Sequence, residues 1–122
     1  MLRLAVVPCL LLVFATASGA AYAGGPTAQA AKSCGISGKE RSFGATYVTT
    51  LSTRNTSCRN GEGVVRGFHR CRRELGGDTC SRKVDGYRCT QTKLATSPLQ
   101  YDARVTCTRG GKRVKHTYTQ NT

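Results

Sequence analysis

The sequence predicts an α+β fold in which one amphipathic helix packs on one face of a small antiparallel sheet. The predicted order is strand, helix, strand, strand, strand, with disulfides as staples. Three observations predict it. Apolar residues switch from a period of two to a helical period of about 3.6 at Cys58. Two alternating segments meet at Gly110-Gly111, and six cysteines remain once a leading apolar segment is set aside.

That leading segment is residues 1–23, with Arg3, an apolar run over residues 4–14 and a small-residue end at Ala21-Tyr22-Ala23. This is the layout of a cleavable secretory signal, cut before Gly24. A retained anchor is the alternative, but the run is shorter than the roughly 20 residues a span needs. Pro8 ahead of Cys9, inside the run, argues against a lipoprotein signal. Residues 24–32 are small and polar and read as a flexible leader, and residues 33–122 as a single domain. The expected location is outside the cell, free or associated with the envelope.

In the domain, residues 45–53 are rich in Thr, Tyr and Val, and Tyr47, Thr49 and Leu51 alternate with Val48 and Thr50, which favours a strand. Asn55-Thr56-Ser57 then suits a turn or a helix N-cap, and also matches a glycosylation sequon. From Cys58 to Leu75 the residues Val64, Val65, Phe68, Cys71 and Leu75 recur at helical spacing. Arg59, Glu62, Arg66, Arg70 and Arg73 fall on the other side. Gly61, Gly63 and Gly67 each cost this helix about 1 kcal/mol relative to Ala, so packing and disulfides must hold it. Gly76-Gly77 ends it. Residues 84–94 read as the next strand, with Tyr87 and Cys89 on one face, and Ser97-Pro98 breaks it.

The last two strands, residues 101–109 and 112–119, form a hairpin about Gly110-Gly111, since two glycines supply the positive φ angles of a tight turn. A two-residue turn sets Cys107 against Val114, Val105 against His116 and Ala103 against Tyr118 on one face. Arg104, Thr106, Thr108, Arg113, Lys115 and Thr117 take the other face.

Without the signal the cysteines are Cys34, Cys58, Cys71, Cys80, Cys89 and Cys107. In a small exported chain an even set of six reads as three disulfides. Cys71–Cys80 is the expected local bridge, from the helix end to the following loop. Cys89 and Cys107 point inward on the hairpin register, as Cys58 does from the helix start, so these are expected to be bridged within the core. Zinc is the competing reading, but no C-x-x-C pair occurs to form one side of a tetrahedral site.

Removing residues 1–23 takes away Arg3 and no acid, leaving 18 basic residues against six acidic ones and a net charge of +12. Such a field gathers polyanions: cell-wall polymer, acidic polysaccharide, anionic lipid headgroups or, non-specifically, nucleic acid. The candidate anion-binding residues are Arg59, Arg66, Arg70 and Arg73 on the helix, and Arg104, Arg113 and Lys115 on the hairpin. The outer hairpin face lacks aromatics on which bases would stack.

Ser57-Cys58, the run Val64-Val65-Arg66-x-Phe68-His69, Gly86-Tyr87-Arg88-Cys89, Val105-Thr106-Cys107 and Val114-x-His116-x-Tyr118 together resemble small secreted proteins of actinobacteria, over residues 47–119. The resemblance implies secretion and a compact disulfide-bonded fold; it carries no activity and no catalytic residue. Cys34, Cys71 and Cys80 are additions to the shorter cysteine pattern of those proteins, which leaves the disulfide map open.

His69 and His116 are the only histidines. Two histidines with nearby cations are the minimum for general acid–base cleavage of RNA. On this reading His69 stands at the helix border with Arg66, Arg70 and Lys115 as phosphate partners, whereas His116 falls on the inward face. No G-x-S-x-G elbow or H-E-x-x-H motif occurs, and oxidised cysteines offer no nucleophile. No cofactor is expected. A third possibility is a protease inhibitor presenting the loop at residues 96–100, stiffened by Ser97-Pro98. A non-enzymatic module that binds an anionic partner is the leading expectation.

Overall fold

The computed structural model describes residues 29–122; the segment expected to be a secretory signal and most of the expected leader fall outside the described residues. The elements are β1 (Lys32–Ser33), β2 (Tyr47–Arg54), α1 (Cys58–Glu74), β3 (Arg88–Thr96), β4 (Gln100–Arg109) and β5 (Lys112–Asn121). Five antiparallel strands form one sheet in the order β1-β2-β5-β4-β3. The chain leaves one side of the sheet after β2, crosses its inner face as α1 and re-enters at the opposite edge as β3. This is the predicted α+β class, with the two-residue β1 as an addition.

The hairpin register is the one expected from a two-residue turn: Cys107 opposite Val114, Val105 opposite His116 and Ala103 opposite Tyr118. The turn itself differs from the type I′ expected of two glycines at positive φ: Gly110 takes φ +55°, but Gly111 does not have a positive φ. All six of these side chains are buried.

The alternation expected in β2 does not run through. A bulge between Val48 and Thr50 resets the register, so Val48, Leu51 and Thr53 all face inward although Val48 and Leu51 lie an odd number of residues apart. The strand expected to begin at residue 84 also begins later. Asp85 (φ 49°) and Gly86 (φ 80°) make a tight reversal, with Val84 and Tyr87 exchanging backbone hydrogen bonds of 2.9 and 2.7 Å. Asp-Gly is a strong signal for such a turn, and β3 proper starts at Arg88.

Ser57 caps α1, its hydroxyl accepting from the Asn60 N–H at 3.1 Å. Just before it, Asn55 sits at φ 55° and donates its side-chain N–H to the Gly111 carbonyl at 2.8 Å, tying the helix entry to the hairpin tip. At the other end Gly76 donates to Arg73 O and Gly77 to Arg72 O, with Gly76 at φ 69°, which closes a Schellman motif. Val64, Val65, Phe68 and Cys71 are buried as expected, but Leu75 is 48% exposed, because the helix ends one residue before it and it no longer lies over the sheet.

The three disulfides are Cys34–Cys58, Cys71–Cys80 and Cys89–Cys107. Each contributes about 2–4 kcal/mol, largely by restricting the unfolded chain. Cys71–Cys80 is the expected local bridge. Cys89 and Cys107 stand directly opposite on β3 and β4 and join each other. Cys58 turns instead to Cys34, fastening the segment after β1 to the first turn of α1. The core these bridges enclose includes Phe43, Val48, Leu51, Val64, Val65, Phe68, Val105, Val114 and Tyr118.

Candidate functional site: a buried histidine pair and two cationic surfaces

α1 projects a polar group into the core that the sequence reading placed at the border. His69 is fully buried, as is His116 from β5, and their Nε2 atoms lie 3.0 Å apart. Arg72, also buried, donates through Nε to His69 Nδ1 at 2.8 Å, and through its other nitrogens to the Tyr101 hydroxyl and to Gln120 Oε1. Its guanidinium stands 5.1 Å from the centre of the Tyr118 ring.

These contacts fix the tautomers. His69 accepts at Nδ1, so its proton is on Nε2 and is donated to His116 Nε2. His116 then carries its proton on Nδ1, a buried atom with no hydrogen-bond partner among the described residues. Burial, and then the neighbouring His116 and Arg72, hold His69 far below the ordinary histidine range; burial and then Arg72 do the same for His116. Both rings therefore stay neutral at physiological pH.

The pair expected for acid–base chemistry is thus brought together, but in the core and not beside its expected phosphate partners. Arg66 bonds Glu62 at 3.5 Å and lies over the Phe43 ring, Arg70 points to solvent, and Lys115 projects from the opposite face of the sheet to His116. Neither ring is open to a substrate. Arg72 completes the inner stripe four residues after Phe68. Its place was legible in the helical spacing and hidden by its charge.

The sheet's outer face is a grid. Pairing between strands aligns Arg54, Arg113, Thr108 and Arg88 in one row, Ser52, Lys115, Thr106 and Thr90 in the next, and Thr50, Thr117, Arg104 and Thr92 in a third. Five cations stand among seven hydroxyl side chains, with no carboxylate and no aromatic in the three rows. Among the described residues none of the five enters an ion pair. The Arg54 Nε is buried and has no hydrogen-bond partner among the described residues. Arg104, Arg113 and Lys115 were expected here; Arg54 and Arg88 were not, and the outward parity of β2 and β3 is the signal that adds them. A fourth row changes character, with Asp102 accepting from the Thr119 hydroxyl at 2.5 Å.

The helical cations other than Arg72 are a different population, on the helix side of the sheet and apart from the outer grid. Glu62 binds both Lys39 (2.6 Å) and Arg66, and the Lys39 hydrogen bond is the first cause of its lowered pKa. Arg73 donates to the Gly44 carbonyl at 2.8 Å. Of the four expected anion-binding residues on α1, Arg59 and Arg70 keep clear of such contacts.

The loop after β3 is held tightly. Ser97 Oγ accepts from the Leu99 and Gln100 N–H groups, and Thr122 donates to Leu99 O at 3.0 Å, leaving Leu99 76% exposed at the tip. Among the described residues, no cluster of three His, Cys, Asp or Glu side chains could hold a metal ion, and no helix is long and apolar enough to cross a membrane. All six cysteines among the described residues are in disulfides, which fits an extracellular protein. No protein-family model, no curated protein and no solved structure matches this chain.

Proposed function

We propose that this chain is an exported, non-enzymatic module that binds an anionic polymer of the envelope or the extracellular space through the outer face of its sheet. The observation that carries this reading is the three-row grid, whose five cations have no carboxylate partner among the described residues. Strands lie about 4.8 Å apart, and alternate residues along a strand about 6.8 Å apart. Neighbouring cations are therefore within a Debye length of about 8–10 Å and act as one field. The interleaved hydroxyls can donate to and accept from polymer oxygens. With no aromatic in the grid to stack on a base, acidic polysaccharides and phosphate polymers fit better than single-stranded nucleic acid.

The test is binding of the oxidised protein to a sulfated polysaccharide, a polyphosphate and single-stranded RNA between about 50 and 500 mM salt. Affinity should fall steeply with salt. A variant carrying Arg104→Ala, Arg113→Ala and Lys115→Ala should lose most of the binding, while Arg59→Ala with Arg70→Ala should keep most of it. Binding that does not change with salt, or that follows the helix variant, overturns the reading.

A further inference from the structure

Glycine destabilises a helix relative to alanine, and two of the three glycines of α1 have a packing reason to be there. A Cβ on Gly61 would lie 2.5 Å from Thr53 Cγ2, and one on Gly67 would run into Val84 Cγ1. Gly63 has no such reason: a Cβ there would meet nothing within 4 Å. It forms part of the wall of a cleft of about 340 Å³, between the first half of α1, the turn at residues 84–87 and the tip of the β4–β5 hairpin. This cleft lies on the helix side of the sheet, away from the outer grid.

Arg59, Arg109 and Lys112 line the cleft, and among the described residues none of the three is in an ion pair. Arg109 donates one N–H to the Asp85 backbone carbonyl at 3.2 Å, which fixes the guanidinium and leaves its other donors free. The positive end of the α1 dipole adds to the same field. Asp85 also lines the cleft. Its carboxylate would repel a bare anion, but it is an acceptor for hydroxyl donors.

We propose that this cleft binds a phosphorylated sugar or polyol, with the phosphate toward Arg59, Arg109 and Lys112 and a hydroxyl donating to Asp85. The missing side chain at Gly63 leaves room for the carbon skeleton, and the volume falls within the range of small-ligand pockets. The ligand is either a free small molecule or the repeating unit of a polymer. The site does not depend on the outer sheet face.

The experiment is a titration of the oxidised protein, followed by amide chemical shifts, with glycerol 3-phosphate, inorganic phosphate and poly(glycerol phosphate). Glycerol 3-phosphate should give saturable shifts in the first half of α1 and at residues 85–87, and bind at least about tenfold tighter than inorganic phosphate. Arg59→Ala and Lys112→Ala should each weaken it about tenfold. Asp85→Asn, which suits the positive φ at that position, should narrow the preference over inorganic phosphate. Gly63→Gln should abolish binding while the melting temperature stays level or rises, separating a filled cleft from a damaged fold.

Competition by the polymer at equal phosphate concentration assigns the polymeric source, and its failure to compete assigns the free one. The variant lacking Arg104, Arg113 and Lys115 should still bind glycerol 3-phosphate, so loss of sheet-face binding leaves this site standing. Shifts confined to other residues, no saturable binding, wild-type affinity in Gly63→Gln, or equal affinity for inorganic phosphate would each overturn the proposal.

Discussion

The two faces of this sheet are built from alternate residues of the same strands, yet they are under opposite physical demands. On β5, Val114, His116 and Tyr118 are buried, while Arg113, Lys115 and Thr117, which alternate with them, face away from the helix. Side chains on the inner face sit in fixed contacts: Phe68 lies edge-on to both histidine rings, at 5.1 and 5.7 Å between centroids, and Arg72 bonds across to β4 and β5. On the outer face the five cations have no partner of opposite charge among the described residues. Stability is therefore concentrated on the inner face, while the outer face keeps its charge unspent. The net charge of the chain is an average over two surfaces that do different things.

The largest expected break in that contrast is Phe68→Ala. It should cost about 3–5 kcal/mol of unfolding free energy, read by denaturant titration with the disulfides intact. Polymer binding by the fraction that remains folded should be unchanged. A cost below about 1 kcal/mol would mean that the inner face is not the stabilising one.

Acid should come next. Both histidines are held neutral in the folded state, whereas in the unfolded chain each titrates near pH 6.5. Above that pH neither state takes up a proton and the pair is neutral for stability. As pH falls through it, the unfolded chain binds protons that the core refuses, so stability falls by up to about 1.4 kcal/mol per pH unit for each ring. By pH 5.5 the two together should cost about 3 kcal/mol. Unfolding curves at pH 7.5 and 5.5 check this, and a His69→Leu, His116→Leu variant should be much flatter between them. Both histidines of the chain lie in the core and the outer grid holds none, so the acid sensitivity belongs to the core.

How much of this was legible depended on whether one residue type decided the local geometry. Gly110-Gly111 fixed a turn, the turn fixed the register, and the register correctly placed all six inward residues of the hairpin. Asp85-Gly86 has the same force, but the strand-like composition around it masks the turn. The bulge at Val48 and Thr50 has no comparable marker, since it is set by pairing with β5. Strand order also lay beyond the sequence, because α1 can carry the chain to either edge. For that reason the five-cation grid, assembled from four strands, could be read only in halves. His69 and Arg72 failed for another reason: their positions matched the buried stripe, but a polar residue is buried only when partners await it. Those partners, His116, Tyr101 and Gln120, come from strands distant in sequence.

The smallest expected effect is also the one that most sharply separates the two faces. Arg54 and Arg113 stand directly opposite each other on β2 and β5, both facing outward, and like charges in that arrangement destabilise a sheet. Arg113→Thr removes the repulsion and substitutes a residue that suits a strand. It should therefore raise stability by about 0.2–1 kcal/mol at low salt, a gain that fades as salt screens the original pair. The same variant should bind anionic polymer more weakly, because one of five cations is gone. Gain and loss together would show that the outer face retains charge against the interest of the fold, as expected of a binding surface. Melting curves at low and high salt, paired with the binding series, measure both halves. A stability loss above about 1 kcal/mol, or a gain insensitive to salt, would instead place Arg113 among the residues that hold the sheet together.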